Sequence, residues 1–125
     1  MIVLDSSALL ALLLDERGGE VVLPVARNAV MSSVNLSEVI ERGVANEHSA
    51  DGLTLQIERF GVSINAFDRD QAIAAANLRP LTRHRGLSLG DRACLALAQT
   101  LNVPVLTADR LWADLDIGVD IRLIR

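Results

Sequence analysis

Four acidic residues stand where the apolar pattern of the chain does not explain them: Asp5, Glu38, Asp91 and Asp109. Asp5 closes the stretch MIVL and is followed by two serines and the aliphatic run Ala8 to Leu14, while Asp109 closes VPVLTA in the same manner. Glu38 falls one turn into the helical stretch VNLSEVIERGVA, and Asp91 follows Gly90 in the first turn of an apolar helix. Each has a plain structural alternative. Asp5 and Asp109 can cap helices, Asp91 can serve as a first-turn acid favoured by the helix dipole, and Glu38 can be a solvated helix residue.

What such acids do together is different chemistry. Two carboxylates about 5 Å apart at an effective dielectric near 20 repel by about 3 kcal/mol. Several such pairs would rival the whole stability of a domain, about 5 to 15 kcal/mol, so either protons or cations must be taken up. An all-oxygen set selects hard ions, Mg²⁺ or Mn²⁺, over zinc. His48 opens a polar helix and His84 lies in a basic cluster, so neither has the spacing of a zinc ligand. A divalent ion held by carboxylates suits phosphodiester hydrolysis, because it activates water and neutralises charge on the phosphorus oxygens.

The elements that would position these acids alternate. Ile2 to Asp5 reads as a buried strand, Ser7 to Leu14 as a helix ending before Gly18-Gly19, and Glu20 to Asn28 as a helix disturbed by Pro24. Ala29 to Ser32 is a strand, after which Ser33 is placed to cap a helix. A helix over His48 to Phe60, a strand over Val62 to Asn65 and an alanine-rich helix capped by Asp68 follow, the last ended or kinked at Pro80. LSLGDRACLALAQTL gives an apolar helix centred on Asp91 to Leu101, VPVLTAD a strand, and Ile121 to Ile124 a short edge strand. Strands alternating with helices predict an α/β fold whose mostly parallel central sheet is covered on both faces. Ligands of such sheets bind beyond the carboxyl ends of the strands, where all four acids would meet.

With 125 residues, no repeat and no linker, a single domain over 1–125 is expected. Half the residues are hydrophobic but only 2% are aromatic, so the core must be built from Leu, Val, Ile and Ala. The lone cysteine, Cys94, cannot form an internal disulfide and reads as a small buried hydrophobe, which fits a reducing cytoplasmic compartment. No signal peptide is expected, and the longest aliphatic run is far short of the roughly 20 residues of a membrane span. All twelve cations are arginine. Without lysine, phosphate-binding loops of the GxxxxGK[ST] type, Schiff bases and lysine-dependent phosphoryl chemistry are excluded. A small α/β phosphatase is disfavoured further because no second aspartate follows Asp5 at two residues.

In order and spacing, VLDSSALLALLLDE, SSVNLSEVIERG, LSLGDRACLALA and VPVLTADRLW resemble the four acidic motifs of PIN-domain ribonucleases. The chain length is similar to that of the VapC toxins of bacterial toxin-antitoxin pairs. The resemblance implies the three-layer α/β/α sandwich of PIN proteins and metal-binding acids at Asp5, Glu38, Asp91 and Asp109. Ser7 matches the small polar residue after the first acid and Thr107 the hydroxyl of the TxD motif, both placed to orient carboxylates or waters. The implied activity is that of a metal-dependent endoribonuclease using Mg²⁺ or Mn²⁺, with RNA as substrate. The implied partners are a cognate antitoxin and a second copy of the chain in a homodimer. A mean hydropathy of +0.33 is consistent with apolar surface reserved for partners.

Three matters stay open. The formal charge of -4 argues against a broad basic surface, and discounting the four acids leaves the rest neutral, so phosphate contacts must be local. Arg79, Arg83, Arg85, Arg92 and Arg110 are the candidates, being near Asp91 and Asp109 in sequence. Glu41, Asp114 and Asp116 compete for ligand roles, whereas Ser6, Asp15 and Glu16 read as structural or solvated. A PIN-like module that binds without cleaving, or a solitary RNA-processing nuclease, are the alternatives to a toxin.

Overall fold

A computed structural model describes residues 1–125. The apolar bursts of the sequence become the central strands: β1 (Ile2–Leu4), β2 (Ala29–Ser32) and β4 (Val105–Thr107) are wholly buried. β3 (Ser63–Asn65) and β5 (Ile121–Leu123) are more exposed and occupy the two edges. The order is β3-β2-β1-β4-β5 and every pairing is parallel, with Ile2 opposite Ala29 and Leu4 opposite Leu106.

Period-two alternation sorts the side chains of the sheet into two cores. Ile2, Leu4, Ala29, Met31 and Leu106 point to one face, where α1 (Ser6–Leu13), α2 (Gly19–Val22), α3 (Ser33–Ala45) and α4 (Ala50–Phe60) supply Leu9, Val22, Val39 and Ile57. Val3, Val30 and Val105 point to the other, where α5 (Arg69–Asn77) and α7 (Leu89–Leu101) supply Ala75, Leu95 and Leu97. The expected three layers are therefore present. The core is mostly aliphatic as composition required, joined by the fully buried Met31, Cys94 and Trp112.

Several boundaries differ from the sequence reading for local reasons. Pro24 has no amide hydrogen to continue a helix, so Glu20 to Asn28 divides into α2 and a 3₁₀ segment over Leu23–Asn28 with the proline in its first turn. Pro80 interrupts the alanine-rich helix as expected: α5 stops at Asn77, and the proline sits in the first turn of the separate α6 (Arg79–Thr82). The cap of α3 is Ser32, whose Oγ accepts from Val34 N at 3.2 Å; Ser33 instead accepts from Phe67 N at 3.0 Å and ties α3 to the β3–α5 connection. Asp68 caps α5 as expected, its Oδ1 accepting from Gln71 N at 2.9 Å. Cys94 is fully buried in α7, where burial and the nearby charges of Asp5, Asp91 and Glu38 hold its thiol well above the usual range and so protonated. No helix is long and apolar enough to cross a membrane.

Candidate active site

From β1 the chain winds outward through β2 to β3, then returns to the opposite side of β1 as β4. The carboxyl ends of β1 and β4 therefore flank the point where the winding reverses, and a crevice opens there. Asp5 directly follows β1 and Asp109 lies two residues beyond β4. α3 starts directly after β2 and carries Glu38, and the first turn of α7 carries Asp91. All four line one cavity of about 550 Å³.

Asp5 sits at the N-cap position of α1 yet makes no capping bond. Its Oδ2 instead accepts from Ser7 Oγ at 2.6 Å and Thr107 Oγ1 at 2.9 Å. These hydroxyls are fixed in turn, Ser7 by the Ala108 amide at 2.9 Å and Thr107 by the Asp109 amide at 3.0 Å. The side chain is 5% exposed, and burial raises its pKa from 3.8 to about 6, against the two hydroxyl bonds, which lower it, and with the charge of Asp91, which raises it further. Asp91 is also raised, chiefly by burial, with Asp109 and Glu38 adding repulsion and its bonds to Ser88 opposing. It completes a capping box with Ser88, whose amide donates to Asp91 Oδ2 at 2.9 Å. Asp109 Oδ1 accepts from the Leu111 amide at 3.0 Å, capping a short 3₁₀ turn over Arg110–Trp112. Capping and membership of the cluster are thus compatible in Asp91 and Asp109, because a carboxylate has two oxygens.

Two residues that the sequence reading passed over belong to this site. Ser6, read as structural, donates from Oγ to Glu38 Oε1 at 2.5 Å. The reason is that α1 begins at Ser6, one residue earlier than its apolar pattern indicates, which turns Ser6 toward α3 and Ser7 toward β4. Asn35 is fully buried on α3 and donates from Nδ2 to Glu38 Oε1 at 3.0 Å and to the Gly90 carbonyl at 2.9 Å. The available signal was a polar residue one turn before Glu38, on the buried side of the helix. Gly90 has a steric duty: a Cβ there would meet the Glu38 carboxylate.

The cavity extends past the acids to Glu16, Glu41, Arg42 and Arg125. Glu16, read as solvated, thus lines it, and so does Glu41, whereas Asp114 and Asp116 do not. Asp114 is held by Arg85, whose Nε donates to its Oδ1 at 3.0 Å, and this pairing lowers the pKa of the carboxyl. None of Arg79, Arg83, Arg85, Arg92 and Arg110 lines the cavity. Arg92 turns inward, donating from Nη1 to the Ala75 carbonyl at 3.1 Å, with its Nε buried and unbonded. The cations at the cavity are Arg42 and Arg125, neither of them in an ion pair.

The donor set suits a hard divalent ion. Hydrogen bonds fall on one oxygen of each carboxylate, Asp5 Oδ2, Glu38 Oε1, Asp91 Oδ2 and Asp109 Oδ1, and so leave its second oxygen for a cation. No three acidic, histidine or cysteine side chains stand close enough together to hold a metal ion between them. Mg²⁺ does not need three, since it keeps several waters and is usually held by one or two carboxylates.

The PIN domain family model matches residues 2–118. No curated protein matches the chain in sequence. Among solved structures, a toxin-antitoxin complex from Klebsiella pneumoniae contains a chain matching at TM-score 0.79 and 19% identity, over 100% of this chain and 98% of that one. DNA-bound VapBC from Salmonella typhimurium matches at 0.72 and 18%, over 99% and 98%. FitAcB from Neisseria gonorrhoeae matches at 0.70 and 20%, over 97% and 96%. At these identities the structures attest the fold, and the family rests on the sequence model: the chain belongs to the PIN domain family, with the α/β/α sandwich that its motifs implied.

Proposed function

We propose that residues 1–125 act as a single PIN domain that hydrolyses RNA internally with Mg²⁺ or Mn²⁺, as the toxin of a toxin-antitoxin pair. The observation that carries the nuclease reading is the convergence of Asp5, Glu38, Asp91 and Asp109 on one cavity, each with a carboxylate oxygen unbonded. One or two of these carboxylates, with waters completing the shell and the others close by, would hold the cation, which when bound supplies an activated water and neutralises charge at the scissile phosphate. Ser7 and Thr107 fix the Asp5 carboxylate, so that its free oxygen is aimed before any cation arrives. Ser6 and Asn35 do the same for Glu38.

A bare acidic cavity repels phosphate, a repulsion that a bound cation would offset. Arg42 and Arg125 are the candidates for contact with the strand on either side of the cleaved bond. With 2% aromatic residues, stacking contributes little to affinity. The toxin role is supported by the likeness to chains of toxin-antitoxin complexes. It carries with it an antitoxin that covers the cavity, a homodimer and a cytoplasmic setting.

The tests are separate. Purified protein should cut a defined RNA internally when Mg²⁺ or Mn²⁺ is present, and Asn or Gln at any of the four acids should reduce the rate at least a hundredfold. Equal cleavage by wild type and variants would overturn the assignment. A short reading frame encoding a DNA-binding protein immediately upstream, whose co-expression relieves growth arrest, supports the toxin role. Its absence favours a solitary RNA-processing nuclease.

A further inference from the structure

Glu38 is held more closely than a surface helix carboxylate needs to be. We propose that Asn35 and Ser6 are positioning residues that fix Glu38 relative to Asp91 and so set the affinity of the site for its divalent cation; this rests on the metal-dependent reading above. Asn35 Nδ2 bridges Glu38 Oε1 at 3.0 Å and the Gly90 carbonyl at 2.9 Å. That carbonyl belongs to the peptide unit that carries the Asp91 amide, so one buried amide ties the second acid to the backbone of the third. Both partners of Nδ2 are acceptors, which fixes the orientation of the side-chain amide. Its Oδ1 is left buried with no donor.

An apolar residue would fill this site without an orphaned oxygen, so packing alone does not account for asparagine. From the other side Ser6 Oγ reaches Glu38 Oε1 at 2.5 Å and also approaches the Asn35 carbonyl at 3.3 Å. Gly90 lies against Glu38 Oε2, where any Cβ would collide with it. One oxygen is therefore pinned by two donors and the other confined by a glycine. α1, α3 and α7 meet at this one carboxylate, whose Oε2 is the oxygen left for a cation.

Removing either donor should loosen Glu38 and weaken cation binding roughly tenfold, the lower range for groups that orient ligands. The experiment is calorimetric titration with Mn²⁺ of the wild type, Asn35→Leu, Ser6→Ala and the double variant. Each single change should weaken Mn²⁺ about tenfold, and the double change by less than the product, because both donors act on the same oxygen. Ser6→Thr, which keeps the hydroxyl, should recover most of the affinity. On RNA the same changes should lower kcat with little effect on KM. Thr82→Val, which removes a buried hydroxyl bond to the Leu78 carbonyl away from the cavity, should cost stability and leave Mn²⁺ affinity unchanged.

Folded Asn35→Leu and Ser6→Ala proteins with wild-type Mn²⁺ affinity would overturn the proposal, whatever their melting temperatures. Should Asn35→Leu fail to fold, Ser6→Ala decides, since it leaves the bond to Gly90 intact. A wild type that binds no Mn²⁺ would instead refute the metal-dependent function itself, and the positioning role with it.

Discussion

Asp5 shows how one residue links stability to function. Its folded pKa of about 6 lies above the ordinary 3.8, so the folded chain holds a proton that the unfolded chain has lost. Such a group favours the folded state only while protonated, and its stabilisation is lost as pH rises from about 4 through 6. The ionised form at neutral pH costs about 2–3 kcal/mol. Without divalent ions, Asp5→Asn should therefore be more stable than wild type at pH 7.5 by about that amount and nearly equal at pH 4, as measured by urea denaturation at the two values. An unchanged difference across the range would show that burial does not strain this carboxyl. Gly90→Ala should do the opposite. Its new methyl group displaces the Glu38 carboxylate, so RNA cleavage should fall steeply with a stability loss of about 1–3 kcal/mol.

At the scale of elements, α3 does most to shape the site. Ser32 caps it, Asn35 and Glu38 follow one turn apart, and Arg42 comes one turn after Glu38, about 6 Å further along the axis. If Arg42 and Arg125 contact phosphates, replacing either with Ala should raise KM for RNA and reduce the salt dependence of binding, lowering the log–log slope by about 0.7 for each phosphate no longer neutralised. Arg69→Ala and Arg122→Ala, whose guanidinium groups pair with Asp70 and Asp120, should leave both unchanged. The central strands were legible as unbroken apolar runs, because a strand covered on both faces buries consecutive residues such as Val3 and Leu4, and the amphipathic helices because burial imposes a period of about 3.6 on residues such as Leu53 and Ile57. The partners of the arginines were not legible: Arg85 finds Asp114 and Arg92 the Ala75 carbonyl, both distant in sequence, so a guanidinium next to an acid along the chain need not turn into the cavity with it. Ser6 and Asn35 were missed because a one-residue change in a helix start, or the buried side of a polar turn, reverses what a side chain faces.

Over the whole molecule, the parallel order β3-β2-β1-β4-β5 explains why acids from four separate motifs meet. Reversal of the winding beside β1 leaves a crevice between β1 and β4, and α3 and α7 bring Glu38 and Asp91 to the same end. The assembled cluster stores repulsion that a bound cation would relieve, so on the proposed function Mg²⁺ should stabilise the protein by about 2.7 kcal/mol at a hundred times its Kd, a rise in melting temperature of several degrees. Asp5→Asn should show little of this rise, and an equal shift in both proteins would place the cation elsewhere. The most direct test of the central claim is the initial rate of RNA cleavage by one preparation, first after exhaustive EDTA treatment and then across a Mg²⁺ titration, with Asp5→Asn alongside. Metal-dependent hydrolysis at this cluster requires no cleavage without metal, a saturable rate with it, and none from the variant; cleavage that survives EDTA, or that Asp5→Asn matches, would rule it out.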